Sequence, residues 1–192
     1  MGYVSDHLTP AVRWLDDEEA AAWRNWLLLA ARVRSAVGRD MARDHSMSEP
    51  EYAVLVNLSE APDHRLRMTE LAARLDWSKS RLSHLVGRME ARGSVSRIDC
   101  PQDGRSSFAA LTGHGLDELT RAAPDHVASV RRHFLALFER DQLQQLSGLT
   151  GSALQRLEAA AGPCSAPDDG CGTPLELCTG TPGSDEGCPE RD

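Results

Sequence analysis

Residues 67–112 read RMTELAARLDWSKSRLSHLVGRMEARGSVSRIDCPQDGRSSFAALT, and they limit the possible folds more than any other part of the 192-residue chain. Thr69 to Leu75 has Leu71 and Leu75 one helical turn apart, with Ala72 small enough for close helix contact. After a short break, Ser78 to Arg92 repeats apolar residues at Leu82, Leu85, Val86 and Met89, the i, i+3, i+4, i+7 spacing of one buried helical stripe. Gly93 is a natural residue to follow that helix. Val95–Cys100 and Ser107–Leu111 are short strand candidates, and Asp103-Gly104 between them is a hairpin turn signal. Helix, tight turn, helix and hairpin in this order predict a winged helix-turn-helix.

The flanks predict more helix. Acids from Asp16 to Glu19 precede an apolar pattern of Trp23, Trp26, Leu27, Ala30, Val33, Val37 and Met41, placed where the positive end of a helix dipole favours them. Ser48-Glu49-Pro50-Glu51 is a capping box that opens a helix from Glu51 to Glu60, with Tyr52, Leu55 and Val56 or Leu58 facing inward. Thr112 caps a further helix that Pro124 should kink or interrupt, and Asp141 with Gln144 forms a capping box for a last helix ending near Ala161. The expected fold is mainly α with a small β-hairpin wing. Its parts are an N-terminal arm (1–19), a domain over 20–161 with the winged helix at about 63–112, and a tail (162–192). That tail is rich in Gly, Pro, Thr, Ser and acids, a composition that favours disorder.

Charge alone argues against a nucleic-acid partner, because the chain carries a net −8. Its distribution reverses the inference. Residues 162–192 hold a net −6, whereas residues 63–107 hold nine Lys/Arg against six Asp/Glu. Screening limits charge effects to about 10 Å at ordinary salt, so the local sign governs. On the second helix of the motif, the face opposite the buried stripe carries Ser80, His84, Gly87, Arg88 and Ala91, with Arg81 on its flank. Arginine can bind guanine bidentately, and serine at a helix N-terminus suits phosphate. Taken alone, such a face is an ordinary solvated one; the helix before it and the hairpin after it favour DNA contact. Gly87 in mid-helix suggests close approach by DNA or a neighbouring helix.

These residues resemble the MarR family of regulators. The resemblance rests on Met68-Thr69-Glu70-Leu71-Ala72, Ser80-Arg81-Leu82-Ser83, Leu85-Val86-Gly87-Arg88-Met89-Glu90, Arg92-Gly93, Val95, Arg97, Pro101-Gln102-Asp103-Gly104-Arg105 and Leu111-Thr112. It extends weakly to Glu51-Tyr52-Ala53-Val54-Leu55 and to His126 through His133. It implies a homodimeric repressor whose helices at about 20–45 and 113–161 form the dimer interface, and whose two winged helices read a pseudo-palindromic operator. It also implies release from DNA by a small, often aromatic, ligand. The implied DNA contacts are Ser78, Ser80, Arg81, His84 and Arg88, with Lys79, the only lysine, on phosphate and Arg105 as the wing arginine. Asp103 and Gly104 would shape the wing.

Trp26, Leu27 and Tyr52 are candidate ligand contacts, although tryptophans at helical spacing more often serve a core or an interface. Cys100 precedes the wing, where oxidation would disturb DNA contact, but only Arg97 lies near to activate it. Cys164, Cys171, Cys178 and Cys188 include no Cys-x-x-Cys pair, so neither a metal site nor a cofactor is expected. A thiol-redox or metal sensor of the same shape is the alternative, and a winged helix that binds only protein is a second. No phosphate loop, nucleophile elbow or His-Glu-x-x-His is present, so no enzyme is expected. The absence of a signal-peptide pattern and of any run of about 18 apolar residues points to a cytoplasmic protein with no membrane partner.

Overall fold

The structure, a computed structural model, describes residues 12–100 and 103–161, with side chains described except at 100, 103–106 and 161. The expected tail and most of the expected arm lie outside the described residues. Among the described residues, six α-helices and a three-stranded sheet follow in the order α1 (Asp17–His45), α2 (Glu49–Ser59), β1 (Arg65–Arg67), α3 (Met68–Arg74), α4 (Lys79–Ala91), β2 (Val95–Cys100), β3 (Asp103–Leu111), α5 (Gly113–His133) and α6 (Arg140–Ala161).

Local chemistry sets most of the boundaries. At the start of α1, Asp16 accepts the Glu19 N–H at 2.8 Å and Glu19 accepts the Asp16 N–H at 3.0 Å, a reciprocal cap. The helix ends where Ser46 turns left-handed (φ 52°). At α2 the Ser48 N–H reaches the Glu51 carboxylate at 2.8 Å, so the helix begins two residues before Glu51, with Pro50 in its first turn. Ser78 caps α4 by accepting the Arg81 N–H.

The core forms where α2, α3, α4 and the sheet converge. Val54, Leu55 and Leu58 of α2 pack with Leu66 of β1, Leu71 and Ala72 of α3, and Val95 and Ala109 of the sheet. The four stripe residues of α4, Leu82, Leu85, Val86 and Met89, are all buried in it. Met41 of α1 and Leu119 and Ala122 of α5 close the top. In α2 the fully buried residues are Val54, Leu55 and Leu58, while Tyr52 and Val56 lie half-buried at its edge.

The sheet runs β1-β3-β2, antiparallel throughout, with Leu66 opposite Ala109 and Ile98 opposite Phe108. The expected hairpin is therefore one strand richer. Arg65-Leu66-Arg67 is too short to show a period-2 pattern, and only its pairing with β3 makes it a strand. The turn also differs from expectation. Cys100 pairs with Asp103 across a register shift, so Asp103 and Gly104 lie in β3 rather than at the tip.

Two expectations about the C-terminal half need correction. α5 continues through Pro124 without interruption, forgoing one i→i−4 hydrogen bond. Packing outweighs that loss, since Leu119, Ala122 and Ser129 on either side of the proline are buried. At α6 the capping pair is not Asp141 with Gln144. Gln142 accepts the Glu139 N–H at 2.8 Å, and the Leu143 N–H bonds the Glu139 carbonyl, so the cap sits two residues earlier. A 3₁₀ turn, Leu135–Leu137, precedes it.

The helices outside the core remain largely uncovered. In α1, 29 residues long, only Val37 and Met41 are buried, while Trp23, Trp26, Leu27 and Leu28 are each about half exposed. Every residue from 151 to 160 of α6 is exposed, and Leu149, Leu154 and Leu157 are 72%, 58% and 67% exposed. A folded chain does not usually leave this much large apolar side chain in water without a partner.

Candidate nucleic-acid interface

Burial of one stripe of α4 dictates which residues it presents outward. Ser78, Lys79, Ser80, Arg81, His84 and Arg88 are all exposed on the helix or at its cap. Ser78 and Ser80 bring their hydroxyls within 3.2 Å of each other at the helix N-terminus, where backbone N–H groups favour anions. The Arg81 guanidinium carbon lies 4.3 Å from the centroid of the Trp77 ring. Among the described residues, the side chains of Lys79, His84 and Arg88 have no hydrogen-bond or ion-pair partner. The result is an unneutralised cationic face on a rigid, fully packed helix.

This helix is fastened at its C-terminal end and at its middle. The Arg92 guanidinium, just past α4, donates to Glu51 of α2 at 2.7 Å. Burial alone would raise the Glu51 pKa, but the Ser48 donors and Arg92 outweigh it and hold the carboxyl below its ordinary range. From the sheet, the Arg97 guanidinium donates to the Ser83 carbonyl at 2.6 Å, and its backbone N–H donates to Glu90 at 3.0 Å. The wing strand is thereby tied to the outer side of α4. Among the described residues no neighbouring helix approaches Gly87 closely. A Cβ on Gly87 would lie 3.7 Å from the Arg97 guanidinium, an ordinary contact, so the neighbour is this side chain and it leaves room for a methyl group.

The wing residues divide. Asp103 and Gly104 are placed as backbone in β3, while the side chain of Arg105 lies outside the described residues, as does that of Cys100. At the base of the wing, Arg65 and Arg67 both lie over the Phe108 ring, at 5.7 and 5.2 Å from its centroid.

The three candidate ligand contacts are not brought together. Trp26 lines an open groove of about 600 Å³ between α1 and α6, with Val33, Phe134, Leu143 and Leu146. Leu27 is half exposed on α1 and does not line it. Tyr52 lies elsewhere, its ring 4.3 Å from that of His126, and burial pushes its hydroxyl pKa up. His126 itself was not singled out by sequence reasoning. Among the described residues its Nδ1 is buried without a partner, beside a cavity of about 10 Å³, and burial lowers its pKa. Asp40 was also missed. It collects Ser129 at 2.7 Å, His133 at 2.9 Å and Arg132 at 3.1 Å from α5, and Arg43 at 3.0 Å from its own helix. Hydrogen bonds from Ser129 and His133, with Arg43, lower its pKa to about 2. No sequence signal marks a lone Asp in a long helix for such a role.

Fold and surface together define a winged helix-turn-helix with a cationic second helix. Residues 45–106 match the family model described as the MarR family. AbsC, a MarR family transcriptional regulator from Streptomyces coelicolor, is 40% identical, with a TM-score of 0.70, and the match covers 77% of this chain and 99% of AbsC. Sco3205, a MarR family regulator from the same organism solved in complex with DNA, is 39% identical with a TM-score of 0.72, covering 82% of this chain and 97% of Sco3205. The uncharacterised HTH-type transcriptional regulator YkoM of Bacillus subtilis is 29% identical over 147 residues, 74% of this chain and 94% of YkoM. The chain belongs to the MarR family, and is a transcriptional regulator rather than an enzyme. Among the described residues no helix is long and apolar enough to cross a membrane.

Proposed function

We propose that the chain is a homodimeric repressor that reads a pseudo-palindromic operator through α4 and the wing. The exposed face of α4 carries this reading: Lys79, Arg81 and Arg88 are presented with Ser78, Ser80 and His84 on a helix whose other side is fully buried. A helix so presented fits the major groove, with Arg and His reaching base edges and Ser and Lys meeting phosphate. Arg105 enters the adjacent minor groove from the wing, where Asp103 and Gly104 shape its approach. The DNA-bound structure of Sco3205 supports the choice of partner.

The dimer reading rests on α1 and α6. Trp23, Trp26, Leu27, Leu149, Leu154 and Leu157 are exposed in the single chain, and a second copy covers them. A small aromatic effector bound in the groove beside Trp26 changes the spacing of the two α4 helices and releases the operator. Sequencing the genomic fragments that the purified protein retains, with and without candidate aromatic acids, tests the reading. Retention of a shared, two-fold-related sequence supports it; retention without sequence enrichment, or none at all, overturns it.

A further inference from the structure

Arg81 differs from the other cations on α4 in having its side chain held. Trp77 is the last residue before the cap, in the turn that joins α3 to α4. Its backbone N–H bonds the Ala72 carbonyl at 2.9 Å, directly after Asp76 turns left-handed at φ 51°. Its ring is half-buried against the core. The indole is therefore anchored by the core, and the Arg81 guanidinium carbon lies over its ring, 4.3 Å from the centroid. The Ser78 hydroxyl meanwhile accepts the Arg81 backbone N–H at 3.3 Å. Arg81 is thus fastened at backbone and guanidinium alike, whereas Lys79 and Arg88 on the same helix have no such partner among the described residues.

We propose that Trp77 is a specificity-determining positioning residue, which sets the plane of the Arg81 guanidinium before DNA arrives. The proposal rests on the reading of α4 as the DNA-contacting helix. Stacking occupies the flat face of a guanidinium and leaves its edge N–H groups free, and those edges form the bidentate bond to guanine. A long, mobile side chain loses much rotamer freedom when it is fixed; here that loss falls on folding rather than on binding. A phosphate contact tolerates a swinging cation, but a bidentate base contact does not. Trp77 should accordingly act on discrimination between sequences more than on affinity for duplex in general.

The test uses the full chain and a randomised duplex pool, from which wild type selects its preferred sequence. Discrimination is then the ratio of Kd on sheared carrier DNA to Kd on the selected duplex, at one salt concentration. Trp77→Leu keeps apolar bulk but removes the aromatic face, and should lower that ratio about 3- to 10-fold, while Trp77→Tyr retains most of it. Arg81→Lys should lose a similar amount, and adding it to Trp77→Leu should cost little more. A second measurement avoids any dependence on folding of the variants. In free wild-type protein, the Arg81 Nε–H should have a higher order parameter than that of Arg88. An unchanged ratio in Trp77→Leu, or a loss equal on both duplexes, overturns the proposal, as does equal mobility of the two arginines. If wild type selects no sequence at all, the reading of α4 itself fails, and the proposal with it.

Discussion

Gly115 passes so close to Ser94 that a Cβ there would lie 2.0 Å from the Ser94 carbonyl oxygen. Ser94 is itself buried, its hydroxyl bonded to Glu118 at 2.5 Å, and Thr112 caps α5 by accepting the Gly115 N–H at 3.0 Å while donating its own hydroxyl hydrogen toward the Gly93 carbonyl. The winged helix and the long α5 are thus joined by backbone in direct contact. Any side chain at 115 must push the two apart.

Gly115→Ala should therefore destabilise the protein by about 3 kcal/mol or more, the upper range for overpacking against an unyielding neighbour. Urea denaturation compares its midpoint with that of Gly87→Ala. Gly87 has room for the methyl group and should lose little or gain through helix propensity. Equal effects of the two substitutions would contradict the geometry at Ser94.

Asp40 predicts how the protein responds to acid. Its folded pKa is lowered to about 2, chiefly by Ser129 and His133, from an unfolded value of about 3.9. A carboxyl with a depressed folded pKa contributes stability that is present above the unfolded value and is lost as pH falls through the folded one. Stability should decline between about pH 4 and pH 2 in wild type, and Asp40→Asn should flatten that decline. Urea midpoints measured at successive pH values decide it; the same slope in both proteins would show that the α1–α5 link does not depend on the Asp40 charge.

Much of this architecture was legible because it is written in local patterns. The stripe Leu82, Leu85, Val86 and Met89 identified α4 and its buried side at once, and all four are buried. The cap at Thr112 placed the start of α5, and the capping box at Ser48 located α2, which begins two residues before the expected Glu51. What escaped detection depends on distant partners. β1 exists only through pairing with β3, the α6 cap follows the end of the preceding 3₁₀ turn, and Pro124 is tolerated because the surrounding face of α5 is packed. Asp40 and His126 carry no signal of their own, since the first-named partner of each is far away in sequence, Tyr52 for His126 and Ser129 for Asp40.

The exposed apolar residues of α1 and α6 predict that the chain does not persist as a monomer. Deleting residues 142–161 removes Leu143, Leu146, Leu149, Leu154 and Leu157, and so one side of the groove lined by Trp26. The truncated protein should aggregate or unfold, because the remaining face of α1 is left uncovered. Light scattering after size exclusion reads the outcome. A stable, monodisperse monomer would show that these helices are not the dimer interface.

Arg88 and Arg105 test the two kinds of contact in the proposed reading of DNA. Arg88 stands on the exposed side of α4 without an ion-pair partner among the described residues, and Arg105 belongs to β3 of the wing. Arg105→Ala should weaken binding on every duplex without lowering the melting temperature, because a wing arginine contributes to minor-groove and phosphate potential rather than to the core. Loss of one such contact per subunit should reduce the slope of log Kd against log salt by about one to two units per dimer. Arg88→Ala should instead act on the preferred sequence, with about 1–3 kcal/mol lost for each base contact removed and less change on carrier DNA. Affinity measured against salt for wild type and both variants, on selected and carrier duplexes, distinguishes these effects. If both variants bind as wild type does on both duplexes, α4 and the wing are not the surface that reads DNA.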